Sequence, residues 1–338
     1  MKKSKKNFSG QIFIFGFEGK SLSSDFKKIF EKNKIGGVIL FSRNIESSAQ
    51  IKDLCSELKS LSDIPPFIMI DQEGGEKNRI TKDFPNFPSN LYFGEKEDRE
   101  GLYFAYKKTA RNLKKLGINV NLAPVVDVLT NPKNEVVGER SFGSDPYKVA
   151  SFSKIAIDAT HSERVLACAK HFPGIGDIEA DPHKELPTND NSKKRFEEID
   201  FPPFKEAIKS GVRLIMTSHV FCPNLDSENF STFSQKICSD ILKGKLEFNG
   251  LILTDDMGMG AIKKSSELNF GFYKAFLAGH DLILLCEEFE KQNSLLEYFK
   301  KLLIDEKIDK TSFSKRVEKI ILEKKKRLAF CGSIKRFG

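Results

Sequence analysis

The feature that most constrains the fold is a repeated alternation of short apolar runs with longer amphipathic stretches. The apolar runs are rich in Val, Ile, Leu and Phe, and each is followed by polar residues or by Gly and Pro. They occupy residues 11–15, 37–41, 67–70, 119–123, 165–169, 214–217, 251–254 and 282–285. Helix-like segments separate most of them, at residues 24–33, 48–60, 101–116, 146–162, 195–210, 234–246 and 265–278. Strands that are apolar on both faces and alternate with helices indicate parallel pairing.

Eight such units within 338 residues predict a (β/α)8 barrel of the TIM type. A doubly wound open sheet is the alternative arrangement of the same units. We see no linker that would separate a second domain, so a single domain over residues 1–338 is expected, with a charged closing helix at about residues 312–329. A hydrophobic fraction of 39% with 30% charged residues fits a globular protein with a sizeable core.

The net charge of +8 and a pI near 9.0 raise the question of a nucleic-acid partner. The lysines are mixed with acidic residues along helix-like stretches, which favours a solvated basic surface instead, compatible with an anionic small substrate. The apolar run at residues 12–17 is too short for a secretory signal, and no stretch approaches a membrane span. We therefore expect a cytoplasmic monomer without nucleic-acid or membrane partners. Six cysteines without metal-ligand spacing indicate reduced, buried thiols.

Polar residues follow most of the predicted strands. Because the carboxyl ends of barrel strands meet at one rim, where barrel enzymes carry their chemistry, these side chains are expected to converge. They are Arg43, Asn44, the run from Asp71 through Gln72 and Glu73 to Gly75, Asp127, Lys170, His171, Ser218, His219, Asp255, Asp256, Glu287 and Glu288.

Residues 170–183 form the strand-end segment with the most residues suited to catalysis or binding. The segment contains two histidines, a lysine and two aspartates, interrupted by Pro and Gly. Asp181 and His183 are two positions apart, so in an extended conformation both side chains point the same way. The carboxylate can then orient the imidazole, whose other nitrogen faces the site as a general acid or base. The alternative is a solvated loop histidine beside an unrelated aspartate.

Asp255 ends the apolar run at residues 251–254 and suits a nucleophile, a general base or a metal ligand. An aspartate there can also cap the next helix, but Asp256 suits the cap better and leaves Asp255 free. A metal site built from Asp255 with His171, His183 and His219 lacks the usual ligand spacing, and no metal is expected. The glycines at 174 and 176 lack the dinucleotide fingerprint, so no cofactor is expected, and a serine hydrolase lacks its nucleophile elbow.

Several longer motifs occur in a fixed order along nearly the whole chain. They are residues 35–44 (IGGVILFSRN), 71–75 (DQEGG), 121–128 (NLAPVVDV), 140–142 (RSF), 170–183 (KHFPGIGDIEADPH) and 254–259 (TDDMGM). In this combination the sequence resembles the glycoside hydrolase family 3 β-N-acetylglucosaminidases of the bacterial peptidoglycan-recycling type.

The resemblance implies a (β/α)8 barrel and a retaining mechanism without metal. Asp255 would be the nucleophile that forms a covalent glycosyl-enzyme, and His183 the acid/base with Asp181 as its partner. The residues that would hold the N-acetylglucosamine are Asp71, Arg79, Arg140, Lys170 and His171. An imidazole, with an ordinary pKa of about 6.5, needs little tuning to exchange a proton at neutral pH.

Two positions depart from the family pattern. Glu76 stands where an arginine usually follows the DQEGG run, although Arg79 is retained, and Ile175 replaces a histidine of the 170–183 segment. The expected activity is exo-acting removal of terminal N-acetylglucosamine from cell-wall fragments. A phosphorylase on the same fold, or a non-catalytic sugar-binding barrel, are the alternatives.

Overall fold

The structure is a computed structural model that describes residues 8–179, 181–182, 185–265 and 267–328. Within these ranges, ten strands form one parallel sheet of eight and one antiparallel pair. The strands are β1 (Phe13–Phe15), β2 (Gly37–Leu40), β3 (Phe67–Ile70), β4 (Gln72–Gly74), β5 (Lys77–Asn78), β6 (Val120–Asn121), β7 (Leu166–Phe172), β8 (Leu214–Thr217), β9 (Leu251–Thr254) and β10 (Ile283–Leu285).

The large sheet closes on itself. Its order is β10-β1-β2-β3-β6-β7-β8-β9, and a parallel bridge between Leu253 and Leu282 joins its two edges. Every residue of these eight strands is buried, as expected for parallel strands covered by helices. The predicted (β/α)8 barrel is confirmed, and the open doubly wound sheet is wrong.

Helices surround the sheet. They are α1 (Ser24–Asn33), α2 (Ser48–Ser60), α3 (Asn90–Lys96), α4 (Arg99–Leu116), α5 (Pro146–Ser162), α6 (Lys193–Arg195), α7 (Phe201–Lys209), α8 (Gly260–Ser265), α9 (Leu268–Ala278), α10 (Phe289–Ile304) and α11 (Lys310–Arg327), with π-helical segments at Phe196–Asp200 and Lys236–Lys245. Short 3-10 turns lie at Ser9–Ile12, Ser42–Asn44, Gly138–Arg140 and Ser231–Phe233. Several helices begin at a side-chain cap; Ser23 Oγ, for example, accepts the Phe26 N–H. Among the described residues, no helix is both long and apolar enough to cross a membrane.

Strand β7 differs most from its prediction. The polar pair after Ala169 was expected to end it, yet the strand continues through Lys170 and His171 to Phe172. The pairing with β8 shifts register between Lys170 and Phe172, and such a bulge re-aims side chains. Lys170 stays buried inside the structure because it has carboxylate partners there, which a reading of the strand by hydrophobicity does not anticipate.

The C-terminal helix α11 packs at the opposite end of the barrel from the strand ends that carry polar residues. Lys324 is fully buried, and its Nζ donates to Gln11 Oε1 (2.8 Å) and to the Gly36 carbonyl (2.6 Å). Arg213, which precedes β8, pairs with Glu323 of the same helix. Helix α11 (Lys310–Arg327) lies where a charged closing helix was expected at about residues 312–329. The interpretation of the chain as one domain stays a prediction.

Candidate active site

Strand register brings the polar strand ends to one level. Phe172 of β7 is paired with Thr217 of β8, and Thr217 with Thr254 of β9. Asp255 follows Thr254 directly, and its backbone N–H donates to the Thr217 carbonyl at 3.1 Å. The ends of β7, β8 and β9 therefore open onto the same part of the rim.

An ion network built from three separate stretches of the chain occupies this end of the barrel. Lys170 Nζ of β7 lies 2.8 Å from Asp71 Oδ1 and 2.7 Å from Glu73 Oε1. Arg79 Nη2 lies 3.2 Å from the other oxygen of Asp71. Arg140 holds Glu73 with two hydrogen bonds, Nε to Oε2 (2.8 Å) and Nη2 to Oε1 (2.9 Å). Three cations and two carboxylates therefore support one another, and paired guanidinium–carboxylate bonds fix direction as well as distance.

Burial and the neighbouring charges shift the pKa values of this network in opposite directions, and the combined effect of the charges is the larger. Burial alone would raise the pKa of Asp71, but the charges of Lys170 and Arg79 lower it. Burial likewise would raise the pKa of Glu73, yet Arg140 and Lys170 hold it far below its usual range. Burial would lower the pKa of Lys170, and its two carboxylate partners raise it. All three groups are charged at neutral pH.

His171 joins the same network from its other side. Its Nδ1 lies 2.7 Å from Asp127 Oδ2, and its Nε2 lies 3.4 Å from Arg140 Nη2. The same Asp127 oxygen accepts the His171 backbone N–H at 3.1 Å. With Nδ1 donating to the carboxylate, Nε2 is the acceptor that faces the guanidinium. Asp127 thereby fixes the orientation of the ring.

Two buried polar atoms near the rim lack a partner within the described structure, namely Arg79 Nε and Ser218 Oγ. Buried polar atoms are rarely left unpaired unless water or a ligand satisfies them. Arg79 Nε belongs to the guanidinium that pairs with Asp71, so this donor lies within the ion network.

Asp255 is partly exposed, and its Oδ1 accepts the Asp256 N–H at 2.8 Å. Its charge also acts on the buried Cys168 thiol, whose pKa burial raises to about 12. Smaller contributions to that pKa come from Lys170, Asp71 and Asp255. The strand register places Asp255 at the same end of the barrel as Lys170 of the ion network.

The prediction that Asp256 caps the next helix is wrong. That helix begins four residues later, at Gly260, and Asp256 Oδ1 instead accepts the N–H groups of Gly258 (3.0 Å) and Cys286 (2.9 Å). Asp256 thus fastens the turn after β9 to the end of β10. His219, considered as a metal ligand, contacts Thr232 Oγ1 through Nδ1 and the Asp256 carbonyl through Nε2, so it supports the same turn.

The structure brings five of the predicted site residues into one connected network, namely Asp71, Arg79, Arg140, Lys170 and His171. Asp181 lies on the loop after β7, where its carbonyl accepts the Glu185 N–H. His183 lies outside the described residues, so the Asp181–His183 dyad stays a prediction. Within the described ranges no cluster of three or more His, Cys, Asp or Glu residues suits a metal ion.

Two members of the network, Glu73 and Asp127, were expected at the rim but had no individual role in the sequence prediction. Glu73 lies inside the DQEGG run and Asp127 lies in the 121–128 run, and both are nearly inaccessible to solvent, at 5% and 1% exposure. An acidic residue within an otherwise apolar or glycine-rich run is the only signal the sequence offers for such a position. Their partners, Arg140 and His171, lie 67 and 44 residues away.

The two departures from the family pattern have plain structural explanations. The Glu76 side chain is exposed to solvent, while Arg79 keeps its contact with Asp71. Ile175 is buried in an apolar cluster with Val126 and Phe172. Packing therefore holds this point of the loop where the family usually has a histidine.

Asp200 is a buried carboxylate below the loop that follows β7. Arg195 Nη1 donates to its Oδ2 at 3.0 Å, and its Oδ1 is buried without a partner in the described structure. Burial raises the pKa of Asp200 to about 7; Arg195 opposes that rise, and the charges of Asp127 and Asp177 add to it. The unfolded chain has an aspartate pKa of about 3.9, so between these two values the folded state binds the extra proton.

This difference makes a testable prediction for stability. The contribution of Asp200 is fully present below about pH 4 and is lost as the pH rises toward 7, because the aspartate of the unfolded chain ionises in this window while the buried group keeps its proton. In Asp200→Asn that loss is absent. The free energy of unfolding of the variant relative to wild type should therefore increase with pH by up to about 1.4 kcal/mol per pH unit across this window. Denaturant titrations across the window test this, and a pH-independent difference would contradict it.

The fold and the rim together define a (β/α)8 enzyme whose site can hold a small hydroxylated substrate beside a free carboxylate. The chain belongs to glycosyl hydrolase family 3: the model of the family's N-terminal domain matches residues 10–322. It is a glycoside hydrolase, as the sequence resemblance predicted.

The similar proteins within this family are β-hexosaminidases and β-N-acetylglucosaminidases. The β-hexosaminidase of Nitrosomonas eutropha is 35% identical over 268 residues, which cover 78% of this chain and 76% of that protein. The β-hexosaminidase of Nitrosospira multiformis is 32% identical over 289 residues, covering 84% of this chain and 82% of that one. The family 3 β-N-acetylglucosaminidase from Paenibacillus sp. str. FPU-7 superposes with a TM-score of 0.94 at 33% identity, over 99% of this chain. This chain spans 65% of the Paenibacillus protein.

Proposed function

We propose that this protein is a retaining, exo-acting β-N-acetylglucosaminidase in which Asp255 is the nucleophile. The observation that carries the proposal is the position of Asp255. A partly exposed carboxylate at the end of β9 shares the barrel rim with a network of charged hydrogen-bonding groups. The names of the similar proteins, β-hexosaminidase and β-N-acetylglucosaminidase, support the same sugar for this chain.

The proposed reaction has two displacement steps at the anomeric carbon. In the first, Asp255 attacks that carbon, the bond to the glycosidic oxygen breaks, and His183 donates a proton to the departing oxygen. In the second, His183 takes a proton from water, the water oxygen attacks the anomeric carbon, and the bond to Asp255 breaks. The dyad of Asp181 and His183 is assigned from the sequence resemblance, and it replaces the carboxylic acid that most glycosidases use.

The ion network would hold the sugar while these steps occur. Asp71 accepts hydrogen bonds from hydroxyl groups, while Arg79, Lys170 and His171 present donors or acceptors whose directions are already fixed by neighbouring charges. Such fixed, charge-assisted hydrogen bonds orient a ligand without further reorganisation of the protein. Arg140 would contribute indirectly, by holding Glu73 and His171 in position through direct contacts.

We further propose that the natural substrate is a cytoplasmic cell-wall fragment in which N-acetylglucosamine is linked to anhydro-N-acetylmuramic acid, and that the protein acts as a monomer. The net positive charge is compatible with an acidic fragment.

A panel of aryl glycosides tests the proposed specificity. We expect turnover of the aryl β-N-acetylglucosaminide and little turnover of the matching glucoside, which lacks the acetamido group, or xyloside, which also lacks the C6 hydroxymethyl group, because each leaves part of the site without its partner. Equal turnover of all three would contradict the assignment of the sugar. The same assay in phosphate-free buffer addresses the phosphorylase alternative. Strict dependence on phosphate, with a sugar phosphate as product, would replace hydrolysis by phosphorolysis.

A further inference from the structure

We propose that Asp177 is a positioning residue for proton transfer, because it ties together the two ends of the loop that carries Asp181 and His183. The inference rests on the proposed role of His183 as the acid/base. Asp177 lies outside the sugar-holding network, and its contacts are with loop-anchoring groups.

The first end of the loop is fixed to the segment that follows β6. The Ile175 N–H donates to Asp127 Oδ1 (2.9 Å), and the Ile175 carbonyl accepts Asn134 Nδ2 (2.6 Å). The Asn131 N–H donates to the Gly176 carbonyl at 3.2 Å. A Cβ atom at Gly176 would lie only 1.7 Å from the Val128 carbonyl oxygen, so only glycine allows the two segments to lie this close.

The second end of the loop is fixed to the segment that follows β8. The Pro187 carbonyl accepts the Phe221 N–H (2.9 Å), and the Phe221 carbonyl accepts the Asn189 N–H (2.8 Å). Asn224 Nδ2 donates to the Asp190 carbonyl at 2.7 Å. The two ends of the loop are thus anchored to two different neighbours of β7.

Asp177 joins these two anchored ends through its two carboxylate oxygens. Oδ1 accepts the Thr130 hydroxyl at 2.8 Å, and Oδ2 accepts Asn191 Nδ2 at 2.7 Å. Arg195 completes the arrangement, because its Nη2 donates to Thr130 Oγ1 (3.0 Å) and its Nη1 donates to Asp200 (3.0 Å). Asp177 therefore helps to hold the separation of the two loop ends, alongside a longer contact from Asn189 Nδ2 to the Gly174 carbonyl (3.5 Å).

The separation matters because proton transfer is sensitive to distance. A general acid must lie within hydrogen-bond reach of the leaving oxygen, and a displacement of about 1 Å can cost about 10²-fold in rate. Loosening the loop ends is expected to affect steps that need the acid and to leave other steps intact.

Aryl N-acetylglucosaminides with good and poor leaving groups separate these steps. For a poor leaving group, which needs protonation, we expect Asp177→Ala to lower kcat/KM about tenfold to 10²-fold. For a good leaving group we expect kcat/KM to change by less than about twofold. Asp177→Asn, which keeps the shape and one suitable acceptor oxygen, should recover part of the loss. Asn191→Ala removes one of the two links and should show the same selectivity more weakly, which keeps the test available if Asp177→Ala fails to fold.

Glu179→Ala is the matched control, because Glu179 is an exposed carboxylate of the same loop, and it should leave both substrates unaffected. His183→Ala separates the two hypotheses. If His183→Ala lacks leaving-group selectivity, the proposed acid is wrong. If His183→Ala shows that selectivity while Asp177→Ala slows both substrates equally, or neither, the positioning role of Asp177 is overturned.

Discussion

Asp255→Ala should abolish turnover while the protein still folds and binds sugar. We expect a loss of about 10⁴-fold or more in kcat, the range found when a nucleophile that acts with its partners as a unit is removed. Folding should be retained because Asp255 is partly exposed and its side chain accepts a hydrogen bond only from the neighbouring Asp256 N–H among the described residues. Steady-state kinetics with an aryl N-acetylglucosaminide measure the loss, and calorimetric titration with N-acetylglucosamine measures binding.

Adding azide to Asp255→Ala tests the nucleophile role of Asp255 specifically. A small anion can enter the space left by the carboxylate and attack the anomeric carbon from the same face, so we expect azide to restore release of the aryl group and to give the α-glycosyl azide. Glu288→Ala serves as control, since Glu288 is another exposed carboxylate that follows a barrel strand, and it should keep wild-type activity. Retained activity in Asp255→Ala without azide would exclude the nucleophile role.

Lys170→Met should be the most destabilising single substitution within the ion network. Lys170 is 2% exposed and contacts both Asp71 and Glu73, so its removal leaves two buried carboxylates with fewer cations. Breaking a buried ion pair in this way costs about 3–5 kcal/mol. We expect a loss of this size in the free energy of unfolding at neutral pH, measured by denaturant titration, together with a higher KM.

The pH dependence of that loss shows whether the lost stability of Lys170→Met comes from the missing charge or from the missing packing. The low pKa values of Asp71 and Glu73 mean that their stabilising contribution is present above about pH 4 and is lost as they protonate in acid. The penalty in Lys170→Met should therefore shrink as the pH falls below that value. Lys154→Met, in the exposed Lys154–Asp158 pair, should cost less than about 1 kcal/mol. A Lys170→Met penalty that does not change with pH would assign the effect to lost packing.

Periodicity in the sequence was sufficient to predict the barrel, because buried parallel strands are apolar throughout and the runs at 67–70, 214–217 and 251–254 match β3, β8 and β9 without change. It failed at β7, where Lys170 and His171 continue a strand through charged residues. Hydrophobicity cannot anticipate that case, since the stabilising carboxylate of Asp71 lies 99 residues away in the sequence.

The candidate site shows the same limit. Sequence motifs identified the five network residues, yet the roles of Glu73 and Asp127 depend on contacts that only the closed barrel creates. Ile175 illustrates the opposite case. The sequence marked it as a departure, and its burial beside Val126 and Phe172 shows that apolar packing anchors the loop at this point.

The central claim is that Asp255 becomes covalently bonded to the sugar. The most direct measurement is mass spectrometry of the intact protein, denatured during turnover of an aryl N-acetylglucosaminide whose good leaving group makes the second step limiting. We expect a population heavier by one N-acetylglucosaminyl residue, located by peptide mapping to Asp255 and absent from Asp255→Ala. An active enzyme that carries no such adduct and releases the α-anomer of N-acetylglucosamine first would contradict the account.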